Sequence, residues 1–246
     1  MRRVLTFVFL FIVLSGTEAD FNSNVLDIWY TFRPPLINGD KGDWGGAWVS
    51  LNKSPGDSVL SELSARLFIT YDYNNLYLIV EVNGDDTPNY DSIAFPEPKN
   101  RDNVEVYITM DTVTYKNGQF HKNCWLLRKQ RIPLSGGVDG VMGIGNGGDT
   151  STIDNILQKK DFQVVSSGEG NPYYVEWQIP WYALLNKECT DSLINWSPKM
   201  FKFDLVVTDN DYRLVNGKIR KIALLFSSLP SPSSSVYTVC QSNIVV

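Results

Sequence analysis

Histidine occurs once in this 246-residue chain, at His121. A single imidazole cannot build a multi-histidine metal centre, and it makes a Ser-His-Asp triad a poor expectation. Positive charge is also short. The chain carries 22 Lys and Arg against 27 Asp and Glu, a net of −5. Partners that need a basic surface, nucleic acid and anionic membrane, are therefore excluded as the expected ligands. Helical periodicity is almost missing, the best candidate being a turn or two from Trp181 to Leu185 entered through Pro180. Long hydrophobic runs are missing too, except at the start, so no later segment reads as a membrane span.

That start is informative. Met1-Arg2-Arg3 precedes an uncharged apolar run from Val4 to Leu14, and Ser15, Gly16, Thr17, Glu18 and Ala19 follow. A basic opening, a short apolar stretch and a small-residue exit predict a secretory signal peptide over 1–19, cleaved after Ala19. Its loss removes Arg2, Arg3 and Glu18 and moves the net charge to −6. The remaining 20–246 has the length of one large domain. The product is expected outside the cytoplasm: secreted, or periplasmic or at the cell surface in a bacterium.

Three cysteines remain, Cys124, Cys189 and Cys240. In an oxidising compartment two of them can pair. Cys124 follows an alternating run and is read as facing the core, so Cys189–Cys240 is the preferred disulfide. Asn52-Lys53-Ser54 is a glycosylation sequon, and Asn195-Trp196-Ser197 is a poorer one because Pro198 follows.

Alternating, β-branched and aromatic segments recur with turn residues between them. Ala65–Tyr71 and Leu76–Val82 read as a hairpin through Tyr73-Asn74-Asn75. Asn103–Met110 places Val104, Val106 and Ile108 on one face and Asn103, Glu105 and Tyr107 on the other. Gln119–Leu127, Asp161–Val165, Tyr173–Ile179, Phe201–Thr208 and Lys221–Phe226 continue the series, with a last strand within 236–245. Many strands at short spacing predict an all-β fold, an antiparallel β-sandwich with little helix. Gly136–Thr150 is glycine-rich and reads as a long loop. Trp44, Trp48, Trp177 and Trp181 are expected in the core, while Trp125 and Trp196 are open between core and surface.

Ordered blocks along nearly the whole mature chain carry a resemblance. They are Ile37-Asn38-Gly39-Asp40 with Trp44 and Trp48; Thr70 to Leu78; Glu81-Val82-Asn83-Gly84-Asp85-Asp86; Asp102-Asn103-Val104-Glu105-Val106-Tyr107-Ile108 with Met110-Asp111; Tyr174-Val175-Glu176-Trp177-Gln178-Ile179-Pro180-Trp181; and Phe203 to Asp209. Together they resemble family 9 carbohydrate-binding modules, a branch of the DOMON-like sandwiches of jelly-roll or immunoglobulin-like build. The resemblance implies a shallow site where aromatic rings flank a sugar and polar side chains grip its hydroxyls.

Residue by residue, Glu105 matches the family's site carboxylate. His121 takes the place of a ligand-gripping Arg, and Asn123 matches a site Asn. Where the family can carry a platform Trp, this chain has Pro98-Lys99-Asn100-Arg101, which leaves Lys99 and Arg101 as the ligand-binding side chains there. Val206 stands where the family can have Gln, and no Trp falls near Ser231 to Ser235. Tyr90, Phe95 and Tyr237 are candidate replacement rings. The family also implies structural calcium, for which Asp85, Asp86, Asp209 and Asp211 offer oxygen ligands in turns.

The expected function is a secreted, non-catalytic carbohydrate-binding protein that supports polysaccharide breakdown or uptake, with a separate glycoside hydrolase as partner. The competing readings are a structural or adhesive sandwich with a lost sugar site, a haem carrier using His121 with Met110, Met142 or Met200, and a glycosidase using Glu105 and Asp102.

Overall fold

The structure, a computed structural model, describes residues 25–51, 63–84, 101–109, 115–116, 119–120, 124–131, 142–145, 161–184, 200–209, 214–215, 218–219, 222–225 and 242–245. The strands in chain order are β1 (Val25–Asp27), β2 (Trp29–Tyr30), β3 (Val49–Leu51), β4 (Ser64–Tyr71), β5 (Asn75–Asn83), β6 (Asn103–Thr109), β7 (Tyr115–Lys116), β8 (Gln119–Phe120) and β9 (Cys124–Gln130). They continue with β10 (Met142–Gly145), β11 (Gln163–Ser166), β12 (Tyr173–Pro180), β13 (Met200–Asp209), β14 (Leu214–Val215), β15 (Lys218–Ile219), β16 (Ile222–Leu225) and β17 (Ser242–Val245). One helical turn, α1 (Trp181–Leu184), follows β12. The expected all-β sandwich is what forms.

Two sheets make it. The first runs β1-β17-β13-β6-β9-β10, with β16 also on β13. The second runs β11-β12-β5-β4-β2, with β3 also on β4. β7–β8 and β14–β15 are small separate ribbons. Alternation along the strands sends one set of side chains inward from each sheet. Val104, Val106, Ile108, Leu127, Phe203, Leu205 and Val207 come from the first, and Leu67, Leu78, Val80, Val175 and Ile179 from the second. Trp125, Trp177 and Trp181 are fully buried among them, which settles Trp125 as a core residue. Its indole N–H donates to the Leu184 carbonyl at 2.6 Å, so the buried ring is not left with an unpaired donor.

The second sheet is covered on its outer face as well. Residues 37–48 lie across it, and Trp44, Phe68, Tyr77 and Ile79 form a smaller apolar cluster there with Ile37 and Trp48 against them. This explains why all but the last residue of β5 is buried although its sequence alternates. Two carboxylates fasten the cover. Glu176 accepts the backbone N–H groups of Asn38 at 2.8 Å and Gly39 at 3.1 Å. Burial raises its pKa above the ordinary value, against the lowering effect of those two donors. Glu81 meets Arg66 at 2.9 Å and Lys41 at 3.1 Å. Burial opposes its ionisation, but Arg66, Lys41 and Asn83 together bring the pKa below its ordinary value. Gly46 is required by close approach: a Cβ there would sit 2.2 Å from Cε2 of Phe68, and φ is +147°.

One expectation changes. The glycine-rich stretch Gly136–Thr150 contains β10, which pairs with β9 through Met142↔Arg128 and Ile144↔Leu126. Met142 and Ile144 keep a period of two between glycines, enough to add an edge strand to a sheet already formed. Cys189, Cys240, both sequons and the segment 1–19 lie outside the described residues.

Candidate functional site

The outward face of the first sheet is polar and buried at the same time. On β6 it presents Asn103, Glu105 and Tyr107, the side chains opposite Val104, Val106 and Ile108. Register brings Gln130 opposite Asn103, Arg128 opposite Glu105 and Leu126 opposite Tyr107. From the other side β13 brings Thr208, Val206 and Asp204 into the same three rows.

Glu105 is the centre of the middle row. Its Oε1 accepts from Nε of Arg128 at 2.6 Å, and Nη2 of the same guanidinium also pairs with it. Its Oε2 accepts the Tyr107 hydroxyl at 2.7 Å. Glu105 is 8% exposed and Arg128 6%, so this is a desolvated pair rather than a solvated strand carboxylate. In the neighbouring row Arg101 donates to Oε1 of Gln130 at 3.2 Å, and both are buried. Beyond the strand end, Arg131 lies over the Tyr173 ring at 4.6 Å and donates to the carbonyls of Gly168 at 3.1 Å and Gly170 at 2.8 Å. That clamp holds the end of β9 and with it the positions of Arg128 and Gln130.

The chemistry available is recognition. A carboxylate accepts from a guanidinium and a phenol; a carboxylate–guanidinium pair is of the kind that suits vicinal hydroxyls, which donate to the one and accept from the other. Val206, opposite Glu105 on β13, is only half-buried, whereas Glu105 and Arg128 are both buried.

Of the site residues read from sequence, Glu105 and Arg101 are in this cluster. His121, Asn123 and Lys99 lie outside the described residues. β9 begins at Cys124, opposite Thr109, and the residue facing Glu105 is Arg128. Arg128, Gln130 and Tyr107 were not anticipated as site residues. Their signal was in the sequence: Leu126, Arg128 and Gln130 continue one alternation past Leu127, where the strand was expected to end. Of the calcium candidates, Asp209 is buried at the end of β13, while Asp85, Asp86 and Asp211 lie outside the described residues. Among the described residues, no three or more acidic, His or Cys side chains converge as a metal site, and no helix is long and apolar enough to cross a membrane.

Comparison with known proteins follows this geometry. The sequence matches the family described as carbohydrate family 9 binding domain-like over residues 42–223. No curated protein is detectably similar in sequence. Among solved structures, a family 9 carbohydrate-binding module from Caldicellulosiruptor kristjanssonii in complex with cellotriose is similar at 16% identity and a TM-score of 0.57, covering 90% of this chain and 92% of that one. The glucose complex of a family 9 module from the same organism is similar at 17% identity and a TM-score of 0.58, covering 89% and 95%. A Bacteroides uniformis protein, provisionally described as carbohydrate-binding, shares 9% identity at a TM-score of 0.54, covering 90% and 98%. At these identities the likeness is one of fold.

Proposed function

This chain belongs to the carbohydrate family 9 binding domain-like family, and from that premise we propose that it is a secreted, non-catalytic protein that binds a neutral poly- or oligosaccharide through the Glu105–Arg128 face. The family match and the sandwich support carbohydrate as the ligand class. The observation that carries the site is the buried Glu105–Arg128 pair, oriented by Tyr107 and lying beside the half-buried Val206. Secretion rests on the tripartite segment 1–19. The role outside the cell is to hold a polymer for a separate glycoside hydrolase or for uptake. Cellotriose and glucose, bound by the two structural relatives, are the first probes. Calorimetric titration of the purified protein with cellotriose is expected to show saturable binding that Glu105→Gln weakens. Absence of binding to either sugar and to a glycan array would make this a sandwich whose sugar site is lost.

A further inference from the structure

Among the described residues the exposed large apolar side chains are Trp29, Phe32, Leu36 and Tyr73. Phe32 is 90% exposed, Tyr73 54%. These two are joined by a third ring. Tyr30 has its centroid 4.9 Å from Phe32, edge-on, and 4.9 Å from Tyr73, tilted, and it also meets Tyr71 edge-on at 5.6 Å. The cluster sits at the tip of the β4–β5 hairpin, on the edge of the second sheet. Trp29, next to Tyr30 on a strand, shows its indole on the opposite side.

Both halves of the cluster are held by their own backbone. The Thr31 N–H donates to the Tyr71 carbonyl at 2.7 Å. The Thr31 hydroxyl donates to the Arg33 carbonyl at 2.8 Å and accepts the Arg33 N–H at 3.2 Å, a local turn that fixes Phe32 at its apex, with Pro34 and Pro35 restricting the exit. On the hairpin side, Asp72 accepts the N–H groups of Asn74 and Asn75 at 2.7 Å each and the Tyr77 hydroxyl at 2.8 Å. Aromatic rings held rigidly in water gain nothing inside the fold from their exposure. Rigid display does lower the ordering cost of binding.

The chemistry of the patch selects its occupant. Ring faces alternate with the phenol hydroxyls of Tyr30 and Tyr73, so a wholly apolar partner would strand hydroxyls. Arg33 is the one exposed cation in the segment 29–36, and both carboxylate oxygens of Asp72 are used within its turn, so the patch offers little to a highly charged partner. A pyranose ring has the matching composition, an apolar C–H face edged with hydroxyls. We propose that Tyr30, Phe32 and Tyr73, with Arg33 at the rim, form a second contact surface for an uncharged polysaccharide chain, separate from the Glu105–Arg128 face and on the other sheet. Phe32 and Tyr73 stack on sugar faces; the Tyr30 hydroxyl and Arg33 meet ring hydroxyls. The proposal takes its ligand class from the proposed function. Two surfaces on one rigid body raise retention on a polymer far more than on a short sugar.

The test is affinity electrophoresis in gels containing hydroxyethyl cellulose, arabinoxylan, galactomannan or laminarin, paired with cellotriose calorimetry. Phe32→Ala/Tyr73→Ala removes two exposed rings, so an unchanged melting temperature is expected and shows that the fold is intact. Its retardation by the retaining polymer should weaken at least fivefold with cellotriose affinity unchanged, whereas Glu105→Gln should lose cellotriose affinity and keep part of the polymer retardation. Wild-type protein that no polymer retards overturns the second surface, and so does a double variant that is retarded as wild type. If that variant turns a dimer into a monomer without changing retardation, the patch is an interface between copies and the proposal falls. Loss confined to the Glu105→Gln arm leaves the proposed function standing without this surface.

Discussion

Glu105 and Arg128 face each other in register across β6 and β9, with Nε 2.6 Å from the carboxylate. Because both are buried, the pair belongs to the fold as well as to the candidate site. Removing one partner of a buried pair takes the main counter-charge from the other, at about 3–5 kcal/mol. Glu105→Ala should therefore lower stability by that order. Glu105→Gln, which keeps the shape and one acceptor, should cost about 1–3 kcal/mol and weaken cellotriose binding roughly tenfold or more. Urea midpoints and titrations on the same preparations read both. A Glu105→Gln protein as stable as wild type would show that the pair is not desolvated.

The two carboxylates under residues 37–48 should give stability a maximum on the mildly acid side. Glu176 has its pKa raised by burial, so the folded state holds its proton more tightly. Acidification from neutral pH through that raised value towards the ordinary 4.5 should stabilise. Glu81 is shifted the other way by Arg66, Lys41 and Asn83; its contribution is complete above 4.5 and is lost as pH falls through its lower folded value. Urea midpoints against pH should flatten on the upper limb in Glu176→Gln and on the lower limb in Glu81→Gln. Identical profiles for wild type and both variants would refute the assignment.

Gly46→Ala should destabilise by about 1–3 kcal/mol, since the new methyl meets Phe68 and the backbone is left-handed. The partner can be named in advance. In a Phe68→Ala background the same change should cost less, a coupling that a double-mutant cycle measures. Strict additivity would place the strain in the backbone alone.

Structural calcium remains the proposal for the carboxylates of Asp85 and Asp86 or of Asp209 and Asp211. An ion bound by the native state alone raises stability with its concentration. Excess chelator should lower the melting temperature and added calcium restore it; a chelator-insensitive melt removes the ion.

The strands were legible where alternation ran between turn residues. The hairpin of β4 and β5 falls within a residue or so of its expected limits because Asp72-Tyr73-Asn74 breaks two clean alternations. β10 was not legible, since glycines diluted its pattern and only the free edge of β9 makes it a strand. The strand and the face that Glu105 takes were legible, but its partner was not. Alternation fixes which face a side chain takes and leaves register free, and register is what sets Arg128 opposite Glu105. The exposure of Phe32 had no sequence signal either, because an apolar residue between Thr31 and Arg33 reads the same in a core or on a turn.

The first described strand has a mechanical consequence. β1 lies parallel to β17 in the first sheet, Ile28 is buried between the layers, and β2 then joins the second sheet beside β4. Tension applied through the segments flanking Val25 and Val245 pulls two parallel neighbours in opposite directions along their length. The load falls in shear on all the hydrogen bonds of that pairing together, instead of opening them one at a time. The seam where the first and last described strands meet would therefore resist a steady pull along their length.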